Sequence, residues 1–286
     1  MLKIPIDIWI GKAEENWLHT LYSHAKELFH STFLPSHDHS HHLRVWNISK
    51  KLLKEIATTN SSLSPALVEG VMIAAFFHDL GMAESTREDH GRLGKELCRS
   101  WFSESGHLPP PEFDRILEAI EMHDRKEARY NPDTETGTSP GILGILSAAD
   151  DLEAMGVIGI YRYAEIYLLR GIPLEDLGRR ILENAELRFL NLNSSGIATR
   201  VIGEYRKQYE ELCRFYNLYN RQVKELDRPD ENLEGQLGVI NYIRSQSMTH
   251  KVRPEDLYRM SEEEGADLKV SGFFRKLKIE LEKERV

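Results

Sequence analysis

The sequence predicts an all-α protein, a helical bundle followed by a small C-terminal appendage. Three observations carry that expectation. Apolar side chains recur at i, i+3 and i+4 in one segment after another, the spacing that collects them on one face of a helix with 3.6 residues per turn. No stretch shows the strict alternation that a half-buried strand requires. The segments are separated by clusters of Pro, Gly, Ser and Asn that stop helices, and there is neither an internal repeat nor a low-complexity tract.

The first helix is expected over residues 12 to 33, where Trp17, Leu18, Leu21, Tyr22, Ala25, Leu28 and Phe29 form one stripe, ending at Leu34-Pro35. A histidine-rich stretch, S-H-D-H-S-H-H, then runs into a second helix with Val45, Ile48, Leu52, Leu53 and Ile56 on one face. His41 precedes Val45 by four residues and Ile48 by seven, so it shares that face. His42 is turned about 100° away, and with His37 and His39 it reads as mostly solvated loop.

The third helix starts at Ser64 as N-cap and Pro65 in the first turn, where a missing N–H costs nothing. From Leu67 to Phe77 it has almost no polar face, so it must lie in the interior. It ends in His78-Asp79, with Gly81 suited to a left-handed C-terminal cap. A carboxylate buried there without a partner would cost several kcal/mol, so Asp79 needs a metal, an arginine or a hydrogen-bond network.

The fourth helix puts His90, Leu93, Leu97 and Trp101 on one stripe. Gly94 in its middle costs about 1 kcal/mol relative to Ala, which makes sense where another backbone or a ligand comes close. After the turn over residues 105 to 111, Phe113, Ile116, Leu117 and Ile120 mark a fifth helix whose face His123 continues. A polar loop from Asn131 to Gly141 precedes the sixth, which Ser139-Pro140 starts. Its inward face holds Leu143, Leu146, Ala149 and Asp150, whereas Asp151 is rotated off it. Residues 158 to 226 form two or three further helices, broken near Gly171-Ile172-Pro173 and Asn191 to Gly196. Asp227 to Glu231 is the best linker. The chain therefore divides into a helical domain over 1–226 and an extension over 227–286, whose last helix is expected to be solvated or packed on a partner.

Composition narrows the class. A content of 41% hydrophobic and 29% charged residues is that of an ordinary globular protein, and no stretch is expected to reach the roughly 20 apolar residues of a membrane span. The N-terminal residues lack the basic lead and cleavage site of a secretory signal. Cys98 and Cys213 lie far apart without a CxxC, which argues for reduced thiols, against a cysteine-based zinc site and for a cytoplasmic location. With 37 basic against 46 acidic side chains the net charge is -9, so long nucleic acid is not an expected partner, while a small phosphorylated ligand held by a few local cations is compatible.

His41, His78, Asp79, His90, His123 and Asp150 sit at the ends or on the apolar faces of separate predicted helices. Six such groups in one core are costly unless something neutralises them. Imidazole nitrogen with carboxylate oxygen is a ligand set for iron, manganese, zinc, cobalt or nickel, and a carboxylate can bridge two ions about 3.5–4 Å apart. The cluster thus reads as a site for one divalent transition metal, with a second ion allowed. Arg44, one turn after His41, can reach a phosphate. Arg162 is a weaker candidate, and Arg125 and Lys126 read as surface salt bridges. Asp124 and Asp151 suit either proton transfer or capping and solvation.

Taken in order, His41-x-x-Arg44-Val45, His78-Asp79-Leu80-Gly81, His90-Gly91-x-x-Gly94, Ile120-x-x-His123 and Ala149-Asp150-x-Leu152-x-x-Met155-Gly156 resemble the HD-domain metal-dependent phosphohydrolase superfamily. The resemblance covers about residues 30 to 165. The stretch A-D-D-L-E-A-M-G-V-I-G-I-Y-R is similar to bacterial HD hydrolases in which the Ala-Asp-x-Leu segment is followed by G-x-I-G-I-x-R, and this similarity extends weakly through residues 165 to 220. The resemblance implies an all-α fold and four metal ligands, His41, His78, Asp79 and Asp150. In binuclear members two more histidines bind a second ion, and His90 and His123 occupy the matching order. Family activities include hydrolysis of phosphomonoesters, phosphodiesters and nucleoside triphosphates, and a minority of di-iron members are oxygenases.

The expected function is metal-dependent hydrolysis of a nucleotide or other small phosphoester, with Asp79 and Arg44 catalytic and Arg44 and Arg162 binding the substrate. The alternatives are a di-iron oxygenase of the same fold and a catalytically silent, partner-binding module. The intact ligand pattern disfavours the silent module, and no lysine anchor for an oxygenase substrate is identifiable. Self-association is compatible with the sequence.

Overall fold

The computed structural model describes residues 5–59, 63–87, 89–125 and 140–283, and among them lie twelve α-helices and no strand. The chain forms two compact units, Met1–Glu153 with Asn191–Glu204, and Ala154–Leu190 with Tyr205–Val286. The expected polar loop lies outside the described residues from 131 to 139.

The first unit is built round α3 (Pro65–Phe77). Its N-terminus is capped as the sequence predicts, with Ser64 accepting a hydrogen bond from the Leu67 N–H at 3.1 Å and Pro65 in the first turn. Val68, Val71, Met72, Ile73, Phe76 and Phe77 are all fully buried, each contributing about 2 kcal/mol through removal from water. A helix without a polar face needs neighbours on every side. They are α1 (Ile6–Leu28), α2 (His39–Thr59), α4 (His90–Glu104), α5 (Phe113–Met122) and α6 (Ile142–Glu153). One stretch, Pro65–Ala83, does have the length and composition of a membrane crossing, contrary to the expectation from composition, but 78% of its apolar window is buried inside the protein. The first helix also starts earlier than residue 12, because Ile6 and Ile10 extend the buried stripe of Ala13, Trp17, Leu21 and Ala25.

The end of α3 differs from expectation. His78 caps it in a right-handed conformation, with φ -56° and ψ -42°, and Asp79 leads into a 3₁₀ turn over Leu80–Ala83. Gly81 serves close packing rather than a left-handed cap: a Cβ there would stand 2.2 Å from the His90 carbonyl oxygen and 2.7 Å from Leu93 Cβ. Gly94 does meet a neighbouring backbone, since its Cβ would lie 2.6 Å from the Phe77 carbonyl oxygen and 3.0 Å from that of His78. Gly94→Ala gains about 1 kcal/mol in helix propensity yet must push α4 away from the end of α3. We expect a net loss of about 1–3 kcal/mol in urea unfolding; an unchanged or higher midpoint would show that the contact relaxes freely.

The second unit has its own core. Tyr161 of α7 (Gly156–Leu169), Leu177 and Ile181 of α8 (Leu174–Ser194), and Leu212 and Tyr216 of α9 (Thr199–Glu225) lie in one buried cluster. The same cluster takes Leu237 and Ile240 of α10 (Gly235–Tyr242), Leu257 of α11 (Pro254–Glu263) and Phe274 of α12 (Leu268–Lys283). The breaks flanking α8 fall where the sequence places them, with Gly171 and Gly196 at φ 73° and 67°. The boundary expected at 226/227 does not coincide with the division between the units, because the helices beyond it bury their apolar residues in the cluster that α7 begins. The last helix is not solvated either: Val270, Phe274 and Leu277 are fully buried.

Candidate metal centre

Helix ends deliver most of the site. His41 lies in the first turn of α2, His78 caps α3 and Asp79 follows it, His90 is the first residue of α4, and His123 caps α5; only Asp150 comes from the body of its helix, α6. All six are buried, with His41 and His78 at 0% exposure. They form two sets, His41, His78, Asp79 and Asp150, and Asp79, His90 and His123, in each of which the donor atoms lie within 4.8 Å of one another. Asp79 belongs to both. Its Oδ2 is 3.3 Å from His41 Nε2 and 3.4 Å from His78 Nε2, and its Oδ1 is 3.1 Å from His123 Nε2 and 3.3 Å from His90 Nε2.

The opposite edges of three rings are held by backbone. Nδ1 of His78, His90 and His123 lies 2.9, 2.8 and 2.7 Å from the carbonyl oxygens of Ala75, Arg87 and Ile120, each three residues earlier. A carbonyl only accepts, so each Nδ1 carries the proton and each Nε2 is presented to Asp79. His41 Nε2 and His78 Nε2 stand 3.1 Å apart. Two ring nitrogens that close need a shared proton or a cation, and the nitrogen and oxygen donors suit a divalent transition metal. The residues therefore fit the ion that the sequence pattern implies.

Burial opposes ionisation of Asp79, but the nearby His78 and the close contacts with His123, His41 and His78 outweigh it and hold its carboxyl well below the usual 3.8. Burial lowers His78 despite the pull of Asp79, whereas at His123 the hydrogen bond and charge of Asp79 override burial and raise the pKa.

Several residues stand elsewhere than the sequence suggests. His42 is not solvated but 0% exposed, its Nδ1 3.2 Å from the Ala75 carbonyl oxygen. His37 is buried, with Nδ1 2.6 Å from Ser36 Oγ and Nε2 4.0 Å from Asp79 Oδ2. His39 is half-buried against the edge of Tyr22. The reason is that α2 begins at His39, so this stretch enters the core instead of looping through solvent. Asp151 is 0% exposed, because α6 is buried all round from Gly144 to Glu153. Arg44, expected at a phosphate, donates from Nε to Glu153 Oε1 at 2.6 Å and from Nη1 to Ser40 Oγ at 2.9 Å. Glu153 is a site residue that the sequence pattern does not mark, although its place three residues after Asp150 puts both on one side of α6.

Arg125 is exposed and 3.9 Å from Glu121, a surface salt bridge as expected. Asp124 is partly buried, 3.9 Å from His90 Nε2. Arg162 is buried in α7 of the second unit. Lys126 lies outside the described residues.

Burial drives His42 well below its ordinary 6.5, reinforced by His78 and His41. A depressed imidazole is neutral in the folded chain while the unfolded chain binds a proton below about 6.5, so its contribution to stability is present above that pH and lost as pH falls toward the folded value. Metal-free protein should lose stability on acidification from pH 7 to 5. His42→Gln should flatten that slope by up to about 1.4 kcal/mol per pH unit, read from urea midpoints at each pH; an identical slope would contradict this role.

The all-helical first unit thus carries imidazoles and carboxylates from several helices into one buried cluster that could hold a metal ion. Residues 39–155 match the family model of the HD domain. The match spans α2 to α6 and contains all six cluster residues. Comparisons with curated proteins and with solved structures gave no match.

Proposed function

We propose that the chain is a metal-dependent phosphohydrolase acting on a nucleotide or another small phosphoester. HD domains are in general metal-dependent phosphohydrolases, and the observation that most supports the reading here is the carboxylate of Asp79 shared between two buried donor sets. His41, His78, Asp79 and Asp150 would hold one ion, and His90 and His123 with Asp79 a second. When bound, such ions supply Lewis acidity to a phosphoryl oxygen and lower the pKa of water toward neutrality. The chain's own contribution is to hold the histidine rings by Nδ1, to keep Asp79 ionised, and to place Asp124, a partly exposed acid beside His90, where it can exchange protons with solvent. The acidic balance of the chain favours small substrates over long nucleic acid.

A phosphate-release screen over nucleotides and small phosphoesters tests the proposal, with protein loaded separately with manganese, iron, cobalt or nickel. Release that is lost in Asp79→Ala supports it. Oxygen consumption with iron and no phosphate release would favour the di-iron oxygenase instead, and inactivity in both assays would favour a silent, partner-binding module.

A further inference from the structure

Four histidines bring Nε2 within 3.4 Å of Asp79, and three of these four have Nδ1 fixed by a backbone carbonyl three residues earlier. His41 is the exception. The Asp38 carbonyl, three residues before it, accepts from the His41 backbone N–H at 2.9 Å, while the His41 ring turns Nδ1 to within 3.3 Å of Glu153 Oε2. The other oxygen of Glu153 accepts from Arg44 Nε at 2.6 Å. Arg44 Nη1 donates to Ser40 Oγ at 2.9 Å, and Ser40 donates from Oγ and from its backbone N–H to Asp38 Oδ1 at 2.6 and 2.9 Å. A single line of contacts thus runs from Asp38, just before α2, to Glu153 at the end of α6. Arg44 and Glu153 are each only 4% exposed.

We infer that Glu153 is a positioning residue of the metal centre: it keeps the His41 proton on Nδ1 and Nε2 turned to the donor cluster, and Arg44 is its counter-ion rather than a contact to the substrate. A carboxylate 3.3 Å from Nδ1 electrostatically favours the proton on that nitrogen and makes the opposite nitrogen a better ligand. Swinging Arg44 away toward a phosphate would break its 2.6 Å bond to Glu153 and leave that carboxylate buried without its cation. The inference rests on reading the cluster as a metal centre and is independent of the reaction performed there.

The test is cobalt(II) titration of the full chain, followed by absorbance, in wild type, Glu153→Gln, Arg44→Met, His41→Ala and the His41→Ala/Glu153→Gln double variant. Glu153→Gln keeps the volume of the side chain and should weaken cobalt binding about 10–100-fold, the range for partners of metal-ligating histidines. Arg44→Met should weaken it in the same direction. In the His41→Ala background Glu153→Gln should change affinity less than about 2-fold, because its effect acts through His41; a merely structural role would persist there. ¹⁵N NMR of histidine in the metal-free wild type should show His41 protonated on Nδ1, a readout that needs no variant to fold. Wild-type cobalt affinity in both Glu153→Gln and Arg44→Met, or His41 protonated on Nε2 alone, would overturn the inference. Wild-type protein that takes up no cobalt would overturn the metal centre itself, and the inference with it.

Discussion

Asp79→Ala is expected to reduce metal-dependent phosphate release by at least about 10³-fold, roughly 4 kcal/mol of transition-state stabilisation. The size follows from its position. Asp79 is the one carboxylate common to both donor sets, and its two oxygens face four imidazole nitrogens at 3.1 to 3.4 Å. Removing it leaves those nitrogens to repel one another on protonation and takes from the cluster the carboxylate that the two donor sets share. Asp79→Asn separates charge from shape, since it keeps an acceptor oxygen of the same reach, and it should lose nearly as much. Initial rates with saturating manganese give the answer, and a variant retaining more than a tenth of the wild-type rate would remove Asp79 from the proposed chemistry.

Chelation is the second large effect. An ion that binds the folded chain and not the unfolded one stabilises by mass action, about 2.7 kcal/mol at a hundredfold excess over Kd and about 4.1 at a thousandfold. For a unit of this size that corresponds to a Tm lowered by about 6–15 °C when the metal is stripped. The buried histidines make the direction secure, because without a cation the cluster must accommodate close nitrogen atoms and an ionised carboxylate in the core. Calorimetry with and without EDTA measures it. Superimposable melting curves would mean that the cluster holds no stabilising ion.

Much of the cluster was legible because each of its members obeys a local rule. His41 repeats with Val45 and Ile48, His123 with Ile116 and Ile120, and Asp150 with Leu143 and Leu146, so helical periodicity alone turns them inward. His78 and Asp79 were legible for another reason, as polar residues ending a helix that has no solvent face. The misses are tertiary. Nothing in the spacing of His37 or His42 reveals that α2 starts at His39 and that both side chains are buried. Asp151 lies off the apolar stripe of α6 by rotation, but rotation exposes a residue only where one side of a helix meets water, and α6 is covered all round. The sequence around Gly81 suggests the commonest local use of glycine at a helix end, whereas its role is set by the carbonyl of His90, brought against it by the fold. The helices of the extension over 227–286 are hard to read for the same reason: Leu237, Leu257 and Phe274 are sparse along the sequence and gather in one core only through the packing of several elements.

Metal content tests the central claim most directly. Elemental analysis of purified wild-type protein, set against the His78→Ala/Asp79→Ala double variant prepared in parallel, asks whether these side chains hold an ion. The account predicts about one to two transition-metal ions per chain in the wild type, as a nitrogen and carboxylate site with a shared bridge allows, and almost none in the double variant. Equal metal in the two proteins would contradict it.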